Sequence, residues 1–227
     1  MSNARNIASG AKFVDTAGDT ITGDTVVATT TQVPLRIENT AANSLGSYLK
    51  IRDGNSTAGQ HTWIGRSTND TYFYSNNNDL GMKITNAGIV TKPNQPSFRT
   101  YKNGHYTETS GANRVGSWTS ASNVGSHLNT STGTFTAPVA GKYFFTFSAM
   151  SYSLTGDTQW RLYKNGSTAI GSNDTGKGAT LNQITVTGVI ELSASDYVEP
   201  YCYSSNTSSG QQCYNGHYTT YTGILIG

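Results

Sequence analysis

Apolar and polar residues alternate along this chain in short runs. Between residues 33 and 92 they read PLRIEN, SYLKIRD, HTWIGRS, TYFYSNN, MKITNAG and IVTKP. Alternation places successive side chains on opposite faces of an extended strand. Turn residues separate the runs: Asn43, Gly54, Gly59, Asn76 to Asn78, and Gly88. The pattern predicts about six short strands. Their apolar members are Leu35, Ile37, Leu49, Ile51, Trp63, Ile64, Phe73, Met82 and Ile84. Burying one such side chain is worth about 1.5–3 kcal/mol, whereas ordering each backbone residue costs about 1–2 kcal/mol. A single copy gains little on that balance, so association with further copies is the expected remedy.

From Phe98 onward the runs lengthen. GTFTAPVAGKYFFTF, Gly133 to Phe147, puts Tyr143, Phe145 and Phe147 on one face of a strand that follows a corner at Pro138 and Gly141. ITVTGVIEL puts Ile184, Val186, Gly188, Ile190 and Leu192 on one face, and Asn165-Gly166 after WRLYK is a hairpin signal. Strands at this spacing predict a β-sandwich. Pro93 and Pro96 favour an extended link before it. Residues 1–32 carry few large apolar side chains and the near-repeat Gly-Asp-Thr at 18–20 and 23–25. The organisation expected is an N-terminal attachment or flexible segment over 1–32, a β-rich shaft over 33–94 and a sandwich over 95–227.

Composition agrees with an all-β chain. Of 227 residues, 35% are hydrophobic and 12% charged, with 14 Tyr and 25 Gly, a mix poor in helix formers. The net charge of +2 comes from scattered residues. No basic stripe exists to neutralise phosphates, so nucleic acid is not an expected partner. No apolar run approaches membrane-spanning length, so membrane insertion is not expected. The opening MSNARNIASGAKFVDTAGD has no apolar core of signal-peptide length, and classical secretion is not expected. Cys202 and Cys213 leave two readings open. If they flank a hairpin loop, a bridge closing it would stabilise by about 2–3 kcal/mol. In a reducing compartment they stay free thiols.

The central aromatic stretch resembles the signature of the C1q-like domain, a relative of the tumour-necrosis-factor jelly roll. Asn123, Leu128, Phe135, Gly141, Tyr143, Phe145 and Phe147 occupy its spaced positions. LYKNGS, the turn at Asp196 and the closing TTYTGILIG are similar to the family's later strands. One position departs: Ser117 stands where the signature begins with Phe, and Trp118 is its neighbour. The resemblance implies a C1q/TNF-like jelly-roll knob that assembles as a homotrimer. It also leaves calcium open as a bound ion, with Asp157 and Asp174 as loop carboxylates able to supply oxygen ligands. The strings MSNARNIAS, GDTITGDTVV and MKITNAGIVTKPNQPSF resemble parts of bacteriophage tail-fibre and other phage structural proteins. That resemblance implies a virion fibre whose N-terminal segment meets other virion proteins.

No nucleophile elbow, phosphate-binding loop, zinc-protease helix motif or EF-hand loop occurs. His61, His105, His127 and His217 are scattered, and nothing in the sequence pairs the carboxylates. The chain reads as a non-enzyme with no cofactor. A binding role has more material. Tyr201, Tyr203, Tyr214 and Tyr218 crowd the C-terminal end, interleaved with Gln211, Gln212, Asn215 and His217. Tyr offers a flat apolar face and a hydroxyl, and amides add donors and acceptors. This set suits a sugar ring, although alternate tyrosines equally suit a core or a subunit interface. The expectation is a phage fibre whose knob binds a host-surface glycan or protein. A purely structural virion component on capsid or neck, and a soluble C1q-like lectin, are the competing readings.

Overall fold

The computed structural model describes residues 47–51, 62–75, 79–107, 111–152, 156–175, 181–204 and 212–227. The run PLRIEN therefore lies outside the described residues. The first sheet is an antiparallel meander of β1 (Ser47–Ile51), β2 (Thr62–Ser67), β3 (Asp70–Ser75), β4 (Asp79–Ile84) and β5 (Val90–Thr91). Its register lines up Leu49, Ile64, Phe73 and Met82 across four strands. Because side chains alternate, Ile51, Ile84 and Val90 extend that same apolar face. The opposite face is polar and aromatic. Tyr72 stacks on Tyr74 at 5.7 Å, and Lys83 lies over Tyr72 and pairs with Asp70 at 3.2 Å. No described residue of this sheet is buried, and Ile51 and Val90 are 48% and 54% exposed.

After Lys92–Pro96 the chain builds two further sheets from β6 (Ser97–Lys102), β7 (Gly111–Arg114), β8 (Trp118–Val124), β9 (Leu128–Asn129), β10 (Thr134–Thr136), β11 (Gly141–Tyr152), β12 (Thr158–Lys164), β13 (Thr168–Thr175), β14 (Leu181–Leu192), β15 (Tyr197–Ser204) and β16 (Gly216–Leu225). One sheet has the order β14-β11-β16-β6-β8. The other runs β13-β12-β15-β10-β9, with β7 also on β15. Nearest neighbours in sequence often lie in opposite sheets, which is how a jelly roll closes its core.

That core is aromatic. Tyr143, Phe145 and Phe147 are fully buried, as their shared face requires. Phe98, Phe135 and Tyr221 join them, with ring centroids 4.7 Å apart for Phe98–Tyr221 and 5.3 Å for Phe98–Phe135. Gly223 permits this packing, because a Cβ there would stand 2.4 Å from Phe98 and 2.7 Å from Phe145. At the position where the signature departs, the chain slips one residue. Ser117 is exposed with φ of 60°, and Trp118 enters the core instead, 5.8 Å from the Tyr221 ring. The Trp118 indole donates to the Val115 carbonyl at 2.8 Å. The Asn165-Gly166 turn joins β12 to β13 with φ of 50° and 72°, values these two residues tolerate.

The cysteines do not flank a hairpin. Cys202 lies on β15 in one sheet, and Cys213 precedes β16 in the other, bridging to Tyr106 instead. The two residues therefore do not oppose each other on neighbouring strands. Both are buried, and no disulfide joins them.

Candidate functional site

The outer face of the sheet containing β11 carries two kinds of row. Register places Val189, Phe144 and Ile224 side by side. Val189 is 58% exposed and Ile224 39%. The next rungs are hydroxyls: Thr187, Thr146 and Thr222, then Thr185, Ser148 and Thr220. Beyond these rungs the face is apolar again at Met150 and Tyr152, with Leu181, 61% exposed, opposite Tyr152.

The other end of the sheet is aromatic, and its geometry starts with a backbone irregularity. On β16, Gly216 opposes Lys102 and Thr220 opposes Tyr101, so three extra residues bulge between them. A bulge breaks alternation and re-aims side chains. His217 and Tyr218 are consecutive, and both are exposed. The bulge meets the loop after β6, where the Gly104 amide donates to Asn215 Oδ1 at 3.0 Å and the Asn215 amide donates to His105 Nδ1 at 3.3 Å. The Tyr214 amide donates to the Met150 carbonyl at 2.7 Å, fixing Tyr214 to β11.

Tyr214 then sits among three rings. His105 is 4.5 Å away at 63°, Tyr218 5.7 Å away at 80° and Tyr152 6.3 Å away at 67°. All three stand steeply to it and form the walls of a shallow cup. Tyr218 is 57% and Tyr152 43% exposed. Beside the cup, His217 packs on Tyr101 at 4.3 Å. The cup offers aromatic faces and neutral donors and acceptors. Among the described residues, no three His, Cys, Asp or Glu side chains gather in a way that could hold a metal ion.

The residues expected from sequence divide into separate groups. Tyr214, Asn215, His217 and Tyr218 meet at this end. Tyr201 and Tyr203 lie on β15, in the other sheet. There the Tyr201 ring packs edge-on against Tyr163 at 4.8 Å, and the Arg161 guanidinium lies 5.3 Å from the Tyr203 ring. Arg161 Nη1 also donates to the Tyr163 hydroxyl at 2.6 Å. Arg114 pairs with the buried Glu199 at 2.9 Å, and the Thr134 hydroxyl donates to the same carboxylate at 2.7 Å. Burial, then the Glu199 charge, raises the Tyr201 pKa. This face is tied together internally. Gln212 is fully buried, so its side chain is not available to a ligand, and its backbone N–H donates to the Tyr106 carbonyl at 2.9 Å. Gln211 and the rest of the loop from 205 to 211 lie outside the described residues. Asp157 is half-buried.

Tyrosine density alone does not find Tyr101, His105 and Tyr152. A repeat does. Asn103-Gly104-His105-Tyr106-Thr107 recurs as Asn215-Gly216-His217-Tyr218-Thr219. The first copy follows the end of β6 and the second spans the start of β16. These strands are antiparallel neighbours, so the two copies arrive together.

A two-layered antiparallel sandwich of this strand order with an aromatic core is a C1q/TNF-like jelly roll. The chain belongs to the C1q domain family, whose pattern matches residues 98–226. The globular domain of zebrafish complement 1qA protein is similar at 19% identity, over 59% of this chain and 98% of that one, with a TM-score of 0.44. Murine APRIL is similar at 11% identity in its pH 5.0 structure, over 58% of this chain and 99% of that one, with a TM-score of 0.47. No curated protein sequence matches the chain. C1q/TNF-like domains are non-enzymatic binding modules and typically form trimers.

Proposed function

We propose that this protein is a trimeric fibre of a phage virion whose C-terminal knob binds a glycan or protein on the host surface, without catalysis. The observation that carries the binding role is the exposed aromatic cup around Tyr214. Exposed rings steeply set about a central one exclude little water in a free protein and gain contact area when a ligand fills them. Trimerisation has its own support in two uncovered apolar faces. One is the row of Val189, Phe144 and Ile224 on the knob; the other is the aliphatic face of the first sheet. The fibre reading is supported by the N-terminal strings that resemble phage structural proteins, with the first residues meeting other virion proteins.

The mechanism is valency. A shallow site of about millimolar affinity gives roughly −4 kcal/mol. Linking several on a rigid trimer raises avidity by about 10²–10⁴. The test is competition. Purified full-length protein at saturating concentration should block adsorption of the virus that carries it, and the Tyr218→Ala variant should block poorly. Undiminished adsorption would remove the receptor-binding role and leave a structural one.

A further inference from the structure

We propose that the two Asn-Gly-His-Tyr-Thr repeats form one composite recognition site, and that its ligand is an uncharged pyranose. This rests on the binding role proposed for the knob and names the ligand class of the same cup.

The two copies interlock. His105 of the first packs on Tyr214, which immediately precedes the second. His217 of the second packs on Tyr101, two residues before the first. The backbone joins them through the Gly104–Asn215 and Asn215–His105 hydrogen bonds. Gly104 and Gly216 turn the chain at the same point of each copy, with φ of 80° and 74°, values glycine adopts without strain. The tyrosines have opposite fates. Tyr106 turns inward under the Lys102 ammonium at 5.8 Å, and Tyr218 turns outward. The first copy thus supplies His105 and braces the site through Tyr106, and the second presents Tyr218.

The ligand class follows from the chemistry of the cup. His105 Nδ1 accepts a hydrogen bond from the Asn215 amide. The neutral ring therefore carries its proton on Nε2, as a donor. A pyranose ring has an apolar C–H face for the aromatic walls and hydroxyls at its rim for imidazole, amide and phenol groups. None of the side chains forming the cup is a carboxylate, ammonium or guanidinium. The Lys102 ammonium is buried away from them and donates to the Gly116, Ser117 and Asn103 carbonyls. A sugar carboxylate would lose its water there without gaining a cation.

Saturation-transfer NMR on the full chain tests this, with methyl glucopyranoside, methyl galactopyranoside, methyl mannopyranoside and N-acetylglucosamine as neutral probes and N-acetylneuraminic acid as the anionic one. At least one neutral probe should bind, and N-acetylneuraminic acid should not. His105→Gln and Tyr218→Ala should each weaken binding about tenfold, the equivalent of 1.4 kcal/mol. Both should keep the wild-type circular dichroism spectrum and solution mass. Tyr203→Ala, on the other sheet, should leave binding unchanged. Full binding by a folded His105→Gln would show that the first repeat is not part of the site. Preference for the anionic probe, or no neutral probe bound, would overturn the ligand class. Virus competition that persists without sugar binding would sink this inference alone. Sugar binding without virus competition would sink the adsorption role and leave the site.

Discussion

The ammonium of Lys102 stands 2.7 Å from the carbonyl oxygen of Gly116 and 3.1 Å from that of Ser117. The residue is 2% exposed, and its ammonium also lies 5.9 Å from the Trp118 ring. The carbonyls it holds belong to the turn where the chain slips one residue to bring Trp118 inward. The same turn is tight at Gly116, where a Cβ would stand 2.5 Å from the Ser131 carbonyl. A buried cation caps the Gly116 carbonyl here and is a second donor to the Ser117 carbonyl, which also accepts from the Asn103 amide at 2.9 Å.

Replacing Lys102 by Met keeps the stem and removes the donors. Leaving the Gly116 carbonyl without its donor costs about 1–3 kcal/mol, and urea unfolding should show a loss of that size. The pH dependence has a definite sign. Burial lowers the Lys102 pKa from its usual 10.5. The unfolded state therefore binds more protons in the window just below 10.5. There, wild-type stability should rise with pH relative to Lys102→Met. A relative fall in that window would contradict the burial of the charged group.

Burial pushes the Cys213 thiol up to about 12, and Cys202 is 1% exposed. The thiolate is the reactive form. Neither cysteine should react with an aromatic disulfide reagent in the native protein, and both should react in denaturant. Rapid labelling of the native protein, or no free thiol after unfolding, would contradict two buried free thiols.

Asp196 accepts hydrogen bonds from the Asn165 amide group at 2.9 Å and the Ser193 backbone at 2.8 Å, and it pairs with Lys164 at 2.8 Å. Its pKa falls from 3.8 to about 2, chiefly through Asn165 and then Lys164. A depressed carboxylate contributes stability above its unfolded pKa and loses it as pH falls through the folded one. Asp196→Asn should therefore flatten the acid side of the stability profile between about pH 4 and 2. An unchanged slope would show that these contacts are not maintained in solution.

The fold was legible where alternation is strict. Tyr143, Phe145 and Phe147 had to share a face, and Ile184 and Val186 likewise, because a strand offers only two. Trp118 was visible as the neighbour of a missing Phe, but the slip that buries it depends on the positive φ of Ser117 and the Lys102 cap, which are tertiary facts. The site was half legible. Tyr214, Asn215, His217 and Tyr218 stand together because they are consecutive or nearly so. Tyr201 and Tyr203 were grouped with them by proximity in sequence, yet a strand crossing separates them into another sheet. Gln212 is buried because it adjoins Cys213, whose backbone bridges to Tyr106, a pairing that the sequence does not reveal. His105 and Tyr101 lie more than a hundred residues from Tyr214, and only the antiparallel pairing of β6 with β16 brings them to it.

The apolar face of Leu49, Ile64, Phe73 and Met82 and the row of Val189, Phe144 and Ile224 need a cover that one chain does not provide among its described residues. Three copies provide it in the account given above. Light scattering of the full-length protein coupled to size exclusion tests this directly. The predicted mass is three times the chain mass of 24.2 kDa. A stable, soluble species of a single 24.2 kDa chain would contradict it.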